Sequence, residues 1–327
     1  MSLFERRPRL TDIAARAGVS TATVDRIMNR RGGVHQRTVE RVEQAVREIL
    51  ASDAADPDAG AAAQRVGVVL ARDGSLVTQT LAQALADAGP AASLDVVVTL
   101  FEPMNPAALA ASLRDCGRRG CGSVVVQALD HALVREVIAE LAAAGVAVIT
   151  VLTDLMGVDR LAYVGLDNRA AGRTAGQLMT RLANGPGKLA IVWGGQLYRS
   201  HEERESGFRS VVRSERADLE CLEVVTGNDD PAITSERVAK VIAECPDLAG
   251  IYCVGGGVAG AAQAIDNARL GQPLVMIAHN CNAQTKPYLL SGTIDAVVHQ
   301  DISLIARQVL NCLASRSEEH TSELQSQ

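Results

Sequence analysis

Residues 10–29 read LTDIAARAGVSTATVDRIMN, and the spacing of the apolar residues in this stretch predicts two short helices joined by a tight turn. Thr11 is expected to cap the first helix. Gly18 can take the left-handed backbone conformation that ends this helix, and Ser20 is placed to cap a second helix from residue 21 to about residue 28. The pattern indicates a helix-turn-helix whose second helix can enter the major groove of DNA.

The uneven charge of the chain favours this interpretation over an ordinary helical hairpin. Residues 1–50 hold ten arginines and six acidic residues, a net charge of +4, whereas the whole chain has a net charge of −6. A basic terminal segment attracts phosphate, and an acidic remainder is repelled by it. The charge pattern therefore predicts that the first 50 residues bind double-stranded DNA.

The details of this segment resemble the lactose-repressor (LacI/GalR) family of bacterial transcription regulators. The resemblance rests on Asp12-Ile13-Ala14, Ala17-Gly18-Val19-Ser20, Ala22-Thr23-Val24, Arg26, Asn29, Gly33-Val34 and the run from Arg37 to Val42. It implies a homodimeric repressor that reads a pseudo-palindromic operator and is controlled by a small-molecule effector.

The resemblance also implies which residues contact DNA. Thr21, Ala22 and Arg26 take the family's base-reading positions, and Arg26 is the best candidate for a bidentate contact to guanine. Asp25 stands where the family usually has serine, so the operator sequence is not carried over from other members. The expected DNA-contacting residues are Thr11, Ser20, Thr21, Ala22, Thr23, Arg26, Asn29 and Arg30.

Residues 51–64 are rich in alanine and include Pro57 and Gly60, a composition typical of a linker. In the resembled family this segment is a hinge that becomes helical on DNA and inserts a leucine into the minor groove. Gln64 lies near the position of that leucine, and alanines replace most of the usual basic residues. The hinge is therefore expected to contribute less to DNA affinity here.

From residue 65 onward, short β-rich segments alternate with helical stretches, which predicts an α/β architecture with parallel sheets. The strands are expected at residues 66–71, 94–101, 123–127, 146–152, 188–193, 219–226, 250–254 and 274–278. Two sets of four strands imply two lobes, with the chain crossing between them near residues 161–166 and 294–300. This organisation resembles the ribose-binding branch of the periplasmic binding proteins, the fold of the effector domain in the same regulator family.

The expected domains follow from these patterns. They are an all-α helix-turn-helix module at residues 1–50, a linker at 51–64 and a two-lobed effector domain at 65–315, with lobes at 65–162 and 163–292 and a return of 293–315 to the first lobe. Residues 316–326 resemble the in-frame translation of a common sequencing adapter and hold Leu324 as their only aliphatic residue. We expect residues 316–327 to be a disordered or extended tail in place of a missing native C-terminus.

Polar residues beyond the expected strands are the candidates for effector binding, because ligands of parallel α/β sheets lie outside the carboxyl ends of the strands. These candidates are Asp73, Gln79, Gln127, Asp154, Asp167, His201, Glu202, Arg204, Gly256, His279, Asn280 and Gln300. By the resemblance, His279 and Asn280 stand where relatives usually have an acidic residue, and Glu202 where many sugar-binding relatives have arginine. With three Phe, four Tyr and one Trp in the chain, aromatic stacking of a sugar ring is not expected. The effector is expected to be a small sugar or polyol, or a cation, held by polar groups.

The remaining patterns favour a binding protein over an enzyme. The glycine run at 255–260 fits G-x-G-x-x-G between a strand and a helix, which leaves an NAD-binding oxidoreductase as the alternative. Such a site needs an acidic residue at the end of the next strand, where this chain has Ala278, His279 and Asn280. We therefore expect no catalytic residues and no cofactor. The seven scattered cysteines predict free thiols without a metal site, and the lack of a long apolar run or secretion signal predicts a cytoplasmic protein.

Overall fold

A computed structural model of the chain describes residues 10–28, 38–39, 41–42, 44–45, 63–72, 76–268 and 274–325. The chain divides into two compact units, Met1–Ala62 and Ala63–Gln327, and each is considered by itself. The predicted class, an α-helical N-terminal module followed by an α/β domain with parallel sheets, is confirmed.

The first unit contains the predicted helix-turn-helix. Helix α1 spans Leu10–Ala17 and α2 spans Thr21–Met28. Gly18 ends α1 with a φ of +61°, and the Ser20 hydroxyl accepts a hydrogen bond of 3.2 Å from the Thr23 amide, so both turn signals act as expected. The prediction that Thr11 caps α1 is wrong, because the helix already includes Leu10 and Thr11 is a residue within it.

A small apolar core holds the module together. Val42 and Ala45, from a third helical segment, contribute to it, so this segment packs against the first two helices. Arg41 ties this segment to the turn, since its Nη2 donates to the carbonyl oxygens of Ala17 and Gly18. The buried members of the core are Ile13, Ala14, Ala17, Val24, Val42 and Ala45.

The second unit begins with a five-stranded parallel sheet in the order β2-β1-β3-β4-β5. Its strands are β1 (Gln64–Ala71), β2 (Leu94–Phe101), β3 (Ser123–Val126), β4 (Ala147–Val151) and β5 (Ala162–Val164). Helices α3 (Leu76–Ala88), α4 (Pro106–Arg118) and α5 (Ala132–Ala143), with a short 3-10 helix at Pro90–Ala92, connect them. The central strands are valine-rich and buried on both faces, as parallel sheets covered by helices require.

A second five-stranded parallel sheet has the order β10-β9-β8-β6-β7. Its strands are β6 (Gly187–Trp193), β7 (Leu219–Thr226), β8 (Leu248–Cys253), β9 (Val275–His279) and β10 (Ala296–Val298). The helices of this lobe are α6 (Asn168–Leu182), α7 (Arg199–Glu215), α8 (Pro231–Glu244), α9 (Val258–Ala268) and α10 (Lys286–Ser291). All eight predicted strands are present, and the two expected crossing segments each add an edge strand, β5 and β10.

The last helix, α11 (Ile302–Gln325), returns to the first lobe. Its Ile305, Ala306, Val309 and Leu313 are buried in the first lobe's core. Two expectations are corrected here. Residues 293–300 stay with the second lobe because β10 pairs with β9, and the adapter-like segment continues α11 through Gln325, so it is helical and not extended. Within the described ranges, the chain has no helix of the length and apolar character that a membrane crossing requires.

Candidate functional site

A cavity of about 200 Å³ lies between the two lobes, at the carboxyl ends of both sheets. In the first lobe, Thr78 on α3, Gln127 after β3 and Thr153 after β4 line it. The second lobe contributes polar residues and glycines from five successive strand ends and the helices that follow them. These lining residues are Ser200, His201, Arg204, Asp229, Gly255, Gly256, Gly257, His279, Asn280, Asn282, Gln284, Thr285 and Gln300.

The two lobes contact each other around this cavity. The Ser200 amide donates to the Thr153 hydroxyl at 3.2 Å, and the Asp130 amide donates to the Leu197 carbonyl at 2.8 Å. Tyr198, from the loop between β6 and α7, is buried in the apolar cluster of the first lobe. The loop that follows β6 therefore closes one side of the cavity.

Arg204 is a charged side chain buried in the wall of the cavity, 4% exposed. Its Nε donates to Asn168 Oδ1 at 2.9 Å and its Nη1 to the Val254 carbonyl at 2.6 Å. Asn168 is in turn held by a 2.9 Å hydrogen bond to the Tyr163 hydroxyl. Burial lowers the pKa of Arg204 from its usual value, yet no carboxylate of the described residues forms an ion pair with it.

Helix α7 brings Arg204 to the cavity because glycines let it approach α6. A Cβ on Gly172 would lie 1.9 Å from the Arg204 carbonyl oxygen, and one on Gly207 would lie 2.2 Å from the Arg169 carbonyl oxygen. Any larger residue at either position would push the helices apart. The close contact of α6 and α7 thus fixes the depth of the Arg204 side chain.

Two buried histidines flank Arg204. His201 Nδ1 lies 3.0 Å from the Gly195 carbonyl oxygen, and burial, with a smaller effect of Arg204, lowers the pKa of His201 to about 3. The pKa of His279 also lies well below its usual value, again mainly because of burial. His279 Nε2 is 2.8 Å from the Tyr252 hydroxyl. Both imidazoles are therefore neutral at pH 7 and act as hydrogen-bonding groups without charge.

Three residues other than glycine with left-handed backbone conformations line the same cavity. Leu152, Asp229 and Asn280 line it and have φ angles of +64°, +57° and +67°. Left-handed conformations of residues other than glycine are costly and concentrate at functional sites. The strain supports the cavity as the functional centre of this unit.

The comparisons with known proteins agree with this architecture. Residues 66–318 match the family described as periplasmic binding protein domain. The chain belongs to this family. Residues 9–50 match the bacterial regulatory proteins of the lacI family, the helix-turn-helix module expected from the sequence. No curated protein sequence matches the chain.

Solved structures share the fold of the periplasmic-binding-protein domain. The XylFII-LytSN complex has a chain 18% identical to this one, with a TM-score of 0.72 over 78% of this chain and 94% of that chain. GanP, a glucose-galactose binding protein from Geobacillus stearothermophilus, is 22% identical, with a TM-score of 0.70 over 76% and 90% of the two chains. A solute binding protein of an ABC transporter from Burkholderia graminis, in complex with D-arabinose, is 20% identical with a TM-score of 0.72 over 78% and 89%.

Seven of the predicted effector residues come together in the cavity of the periplasmic-binding-protein domain. They are Gln127, His201, Arg204, Gly256, His279, Asn280 and Gln300. Asp73 lies outside the described residues. Residues that the prediction missed include Thr78, Ser200 and Asp229. Asp229 follows β7, so the strand-end rule applied to that strand would have found it.

Four predicted residues lie outside the cavity lining, each for a physical reason. Asp154 is paired with Arg160 at 2.6 Å and accepts from the Thr150 hydroxyl at 2.7 Å, so its carboxylate stabilises a first-lobe loop. Asp167 is the N-cap of α6 and accepts from the Ala170 amide at 2.8 Å. Gln79 and Glu202 are exposed, one helical position away from the lining residues Thr78 and His201.

Four of the predicted DNA-contacting residues lie on α2, whereas Ser20 precedes this helix and Thr11 lies on α1. Thr21, Ala22 and Arg26 are exposed along this helix. Ser20 and Thr23 are joined by a 2.9 Å contact between their hydroxyl oxygens, which places them at the capped start of the helix. Asn29 and Arg30 lie outside the described residues.

The glycine run has a packing explanation in this domain. A Cβ on Gly256 would lie 1.7 Å from Asp229 Oδ1, and one on Gly260 would lie 2.0 Å from the Pro231 carbonyl oxygen. Gly257 has a φ of +81°. The glycines thus allow the start of α9 to approach α8, a role that requires no dinucleotide.

Proposed function

We propose that the protein is a transcriptional regulator, acting as a homodimeric repressor, whose operator binding is controlled by a sugar or polyol bound in the cavity between the lobes. The observation that carries the proposal is the presence, in one chain, of a lacI-family helix-turn-helix and a cavity with buried, incompletely hydrogen-bonded polar groups. The helix-turn-helix reads DNA, and the cavity is a site for a small polar ligand.

The cavity supports a monosaccharide-sized effector. At about 200 Å³ it is smaller than the roughly 300–1,000 Å³ of pockets that take drug-sized ligands. The similar folds of GanP, described as a glucose-galactose binding protein, and of the B. graminis protein in complex with D-arabinose support the same ligand class. Domains 1–50, 51–64 and 65–315 would then serve DNA reading, connection and effector binding.

The mechanism we propose is a change in lobe closure. The effector would join groups of both lobes, such as Gln127 and Arg204, and would stabilise one lobe arrangement over another. In a dimer that change alters the spacing of the two DNA modules and so the fit to a pseudo-palindromic operator. The coupling is reciprocal, so operator DNA must alter effector affinity by the same factor.

A thermal-shift screen of the full chain against pentoses, hexoses, polyols and their acids tests this function. A ligand at 100 times its Kd should add about 2.7 kcal/mol to the free energy of unfolding. The Arg204→Gln variant should lose this stabilisation, while Arg199→Gln, which breaks an ion pair with Glu203 outside the lining, should keep it. Stabilisation that survives in Arg204→Gln would place the ligand elsewhere.

A further inference from the structure

The second-lobe wall of the cavity presents hydrogen-bonding groups that lack partners. Among the described lining residues, Arg204 is the one that carries a positive charge and Asp229 the one that carries a negative charge. Its Nε and Nη1 each make one hydrogen bond, which leaves donors on Nη1 and Nη2 unused. A buried guanidinium without a carboxylate is costly, so a ligand that supplies negative charge gains the full benefit of pairing with it.

His279 adds a fixed donor to the same wall. The side chain is 2% exposed, its Nε2 contacts the Tyr252 hydroxyl, and its Nδ1 has no hydrogen-bond partner in the part of the chain that the structure describes. Burial raises the pKa of Tyr252, so the phenol keeps its proton and can donate it to Nε2 in the tautomer of His279 that is protonated on Nδ1. The neutral imidazole then carries its own proton on Nδ1, which makes Nδ1 a donor for a ligand oxygen.

Gln300 supplies an acceptor. It is 4% exposed, and its Nε2 donates to Asn280 Oδ1 at 2.9 Å. Its Oε1 is buried and finds no donor among the described residues. An unsatisfied buried carbonyl of this kind is costly, and a hydroxyl of the ligand can donate to it.

We propose that the effector is a sugar acid of monosaccharide size, whose carboxylate accepts hydrogen bonds from Arg204 and His279 and one of whose hydroxyls donates to Gln300. This inference rests on the function proposed above and specifies its ligand. A carboxylate fits better than a phosphate, because one guanidinium balances a single negative charge and its planar donors match carboxylate geometry. A neutral sugar would leave Arg204 without a carboxylate partner.

Isothermal titration of the full chain tests the ligand class. Every five- and six-carbon aldonate and uronate is compared with the neutral aldose or polyol of the same stereochemistry and with the corresponding monophosphate ester. The best acid should bind at least tenfold more tightly than its neutral counterpart, a difference of about 1.4 kcal/mol. Equal or tighter binding of the neutral compound overturns the inference and leaves the proposed function standing, as does tighter binding of the phosphate. Binding of no member of the panel overturns both.

Variants at His279 and Gln300 locate the carboxylate. His279→Asp places an acid beside Arg204 and should weaken binding of the sugar acid at least tenfold more than it weakens binding of the neutral sugar. His279→Gln keeps an uncharged donor and should retain more of the acid's affinity than His279→Asp. Gln300→Glu hardly changes the shape of the side chain but adds a negative charge that repels an anion. It should therefore also weaken binding of the sugar acid more than binding of the neutral sugar. Equal losses for acid and neutral sugar in His279→Asp and Gln300→Glu would overturn the assignment, and if either variant fails to fold the other decides.

Discussion

At the scale of single residues, the function proposed for each unit depends on one arginine, which is exposed in the first unit and buried in the second. Arg26 is exposed on α2, whereas Arg204 is buried in the wall of a cavity. Arg26 was predicted from the resemblance to the lactose-repressor family, and Arg204 from its position after a strand end. Asp154 was predicted in the same way but is paired with Arg160, a residue in the following loop whose placement no periodicity reveals.

Arg26→Ala should weaken binding to the cognate operator by roughly 1–3 kcal/mol, because it removes a base contact. Arg6→Ala, which removes positive charge ahead of the helix-turn-helix, should weaken binding to all DNA sequences alike and lower the salt dependence. The two variants are compared by fluorescence anisotropy on an operator selected from random oligonucleotides and on unrelated DNA. An equal loss on both DNAs for Arg26→Ala would reject its base-reading role.

The buried histidines predict acid sensitivity. Burial lowers the pKa of His201 to about 3 and that of His279 well below its usual value, whereas both titrate near 6.5 in the unfolded chain. Below pH 6.5 the unfolded state therefore binds more protons, and stability falls by up to about 1.4 kcal/mol per pH unit for each histidine as the pH decreases toward 3. Urea unfolding of the wild type and of His201→Gln between pH 7 and 4 should show a shallower pH slope for the variant. Parallel slopes would mean that His201 is not held neutral.

At the scale of elements, the strands were predictable because parallel sheets covered on both faces need runs of buried β-branched residues. Each of the eight predicted strands lies within two residues of the observed one at each end. The edge strands β5 and β10 have three residues each and too little pattern to be told from loops. The contact of α6 with α7 through glycines was equally invisible, because glycine has no side chain that shows periodicity.

Gly172→Ala should displace α7 and, with it, Arg204. The new Cβ would meet a backbone oxygen at 1.9 Å, which cannot move without the helix, so we expect a loss of about 1–3 kcal/mol in stability together with weakened effector binding. Gly122→Ala is the matched control, because its Cβ would make an ordinary contact at 3.5 Å with Gln64. Chemical denaturation and ligand titration measure the two effects. Unchanged effector affinity in Gly172→Ala would separate the helix contact from the site.

At the scale of the whole molecule, α11 connects the second lobe to the core of the first. Ile305, Val309 and Leu313 are buried there, and Arg316 Nη2 donates to the Gly145 carbonyl at 2.6 Å. Composition predicted that the segment from about Arg316 onward contributes nothing to the fold, and the hydrogen bond of Arg316 departs from that prediction. Composition did not predict that the helix continues, because it measures only how much apolar surface the segment can bury. A helix that is already ordered propagates at little further cost and does not need that surface.

Removal of residues 317–327 should change the free energy of unfolding by less than about 0.5 kcal/mol, as is usual for changes away from the core. Truncation before Ile305 removes the buried face of α11 and should prevent folding, which makes it the contrasting variant. Thermal unfolding of the three proteins gives the comparison. A melting temperature several degrees lower for the 317–327 deletion would show that this segment packs on the domain.

The coupling between cavity and DNA module is the central claim, and operator binding with and without saturating effector tests it most directly. Fluorescence anisotropy of the full chain on its selected operator should show at least a fivefold change in Kd on addition of the effector, within the usual range of allosteric coupling. Arg204→Gln should bind the operator like the wild type without effector and show no change when effector is added. An unchanged Kd of the wild type for its operator, with effector bound, would contradict the account.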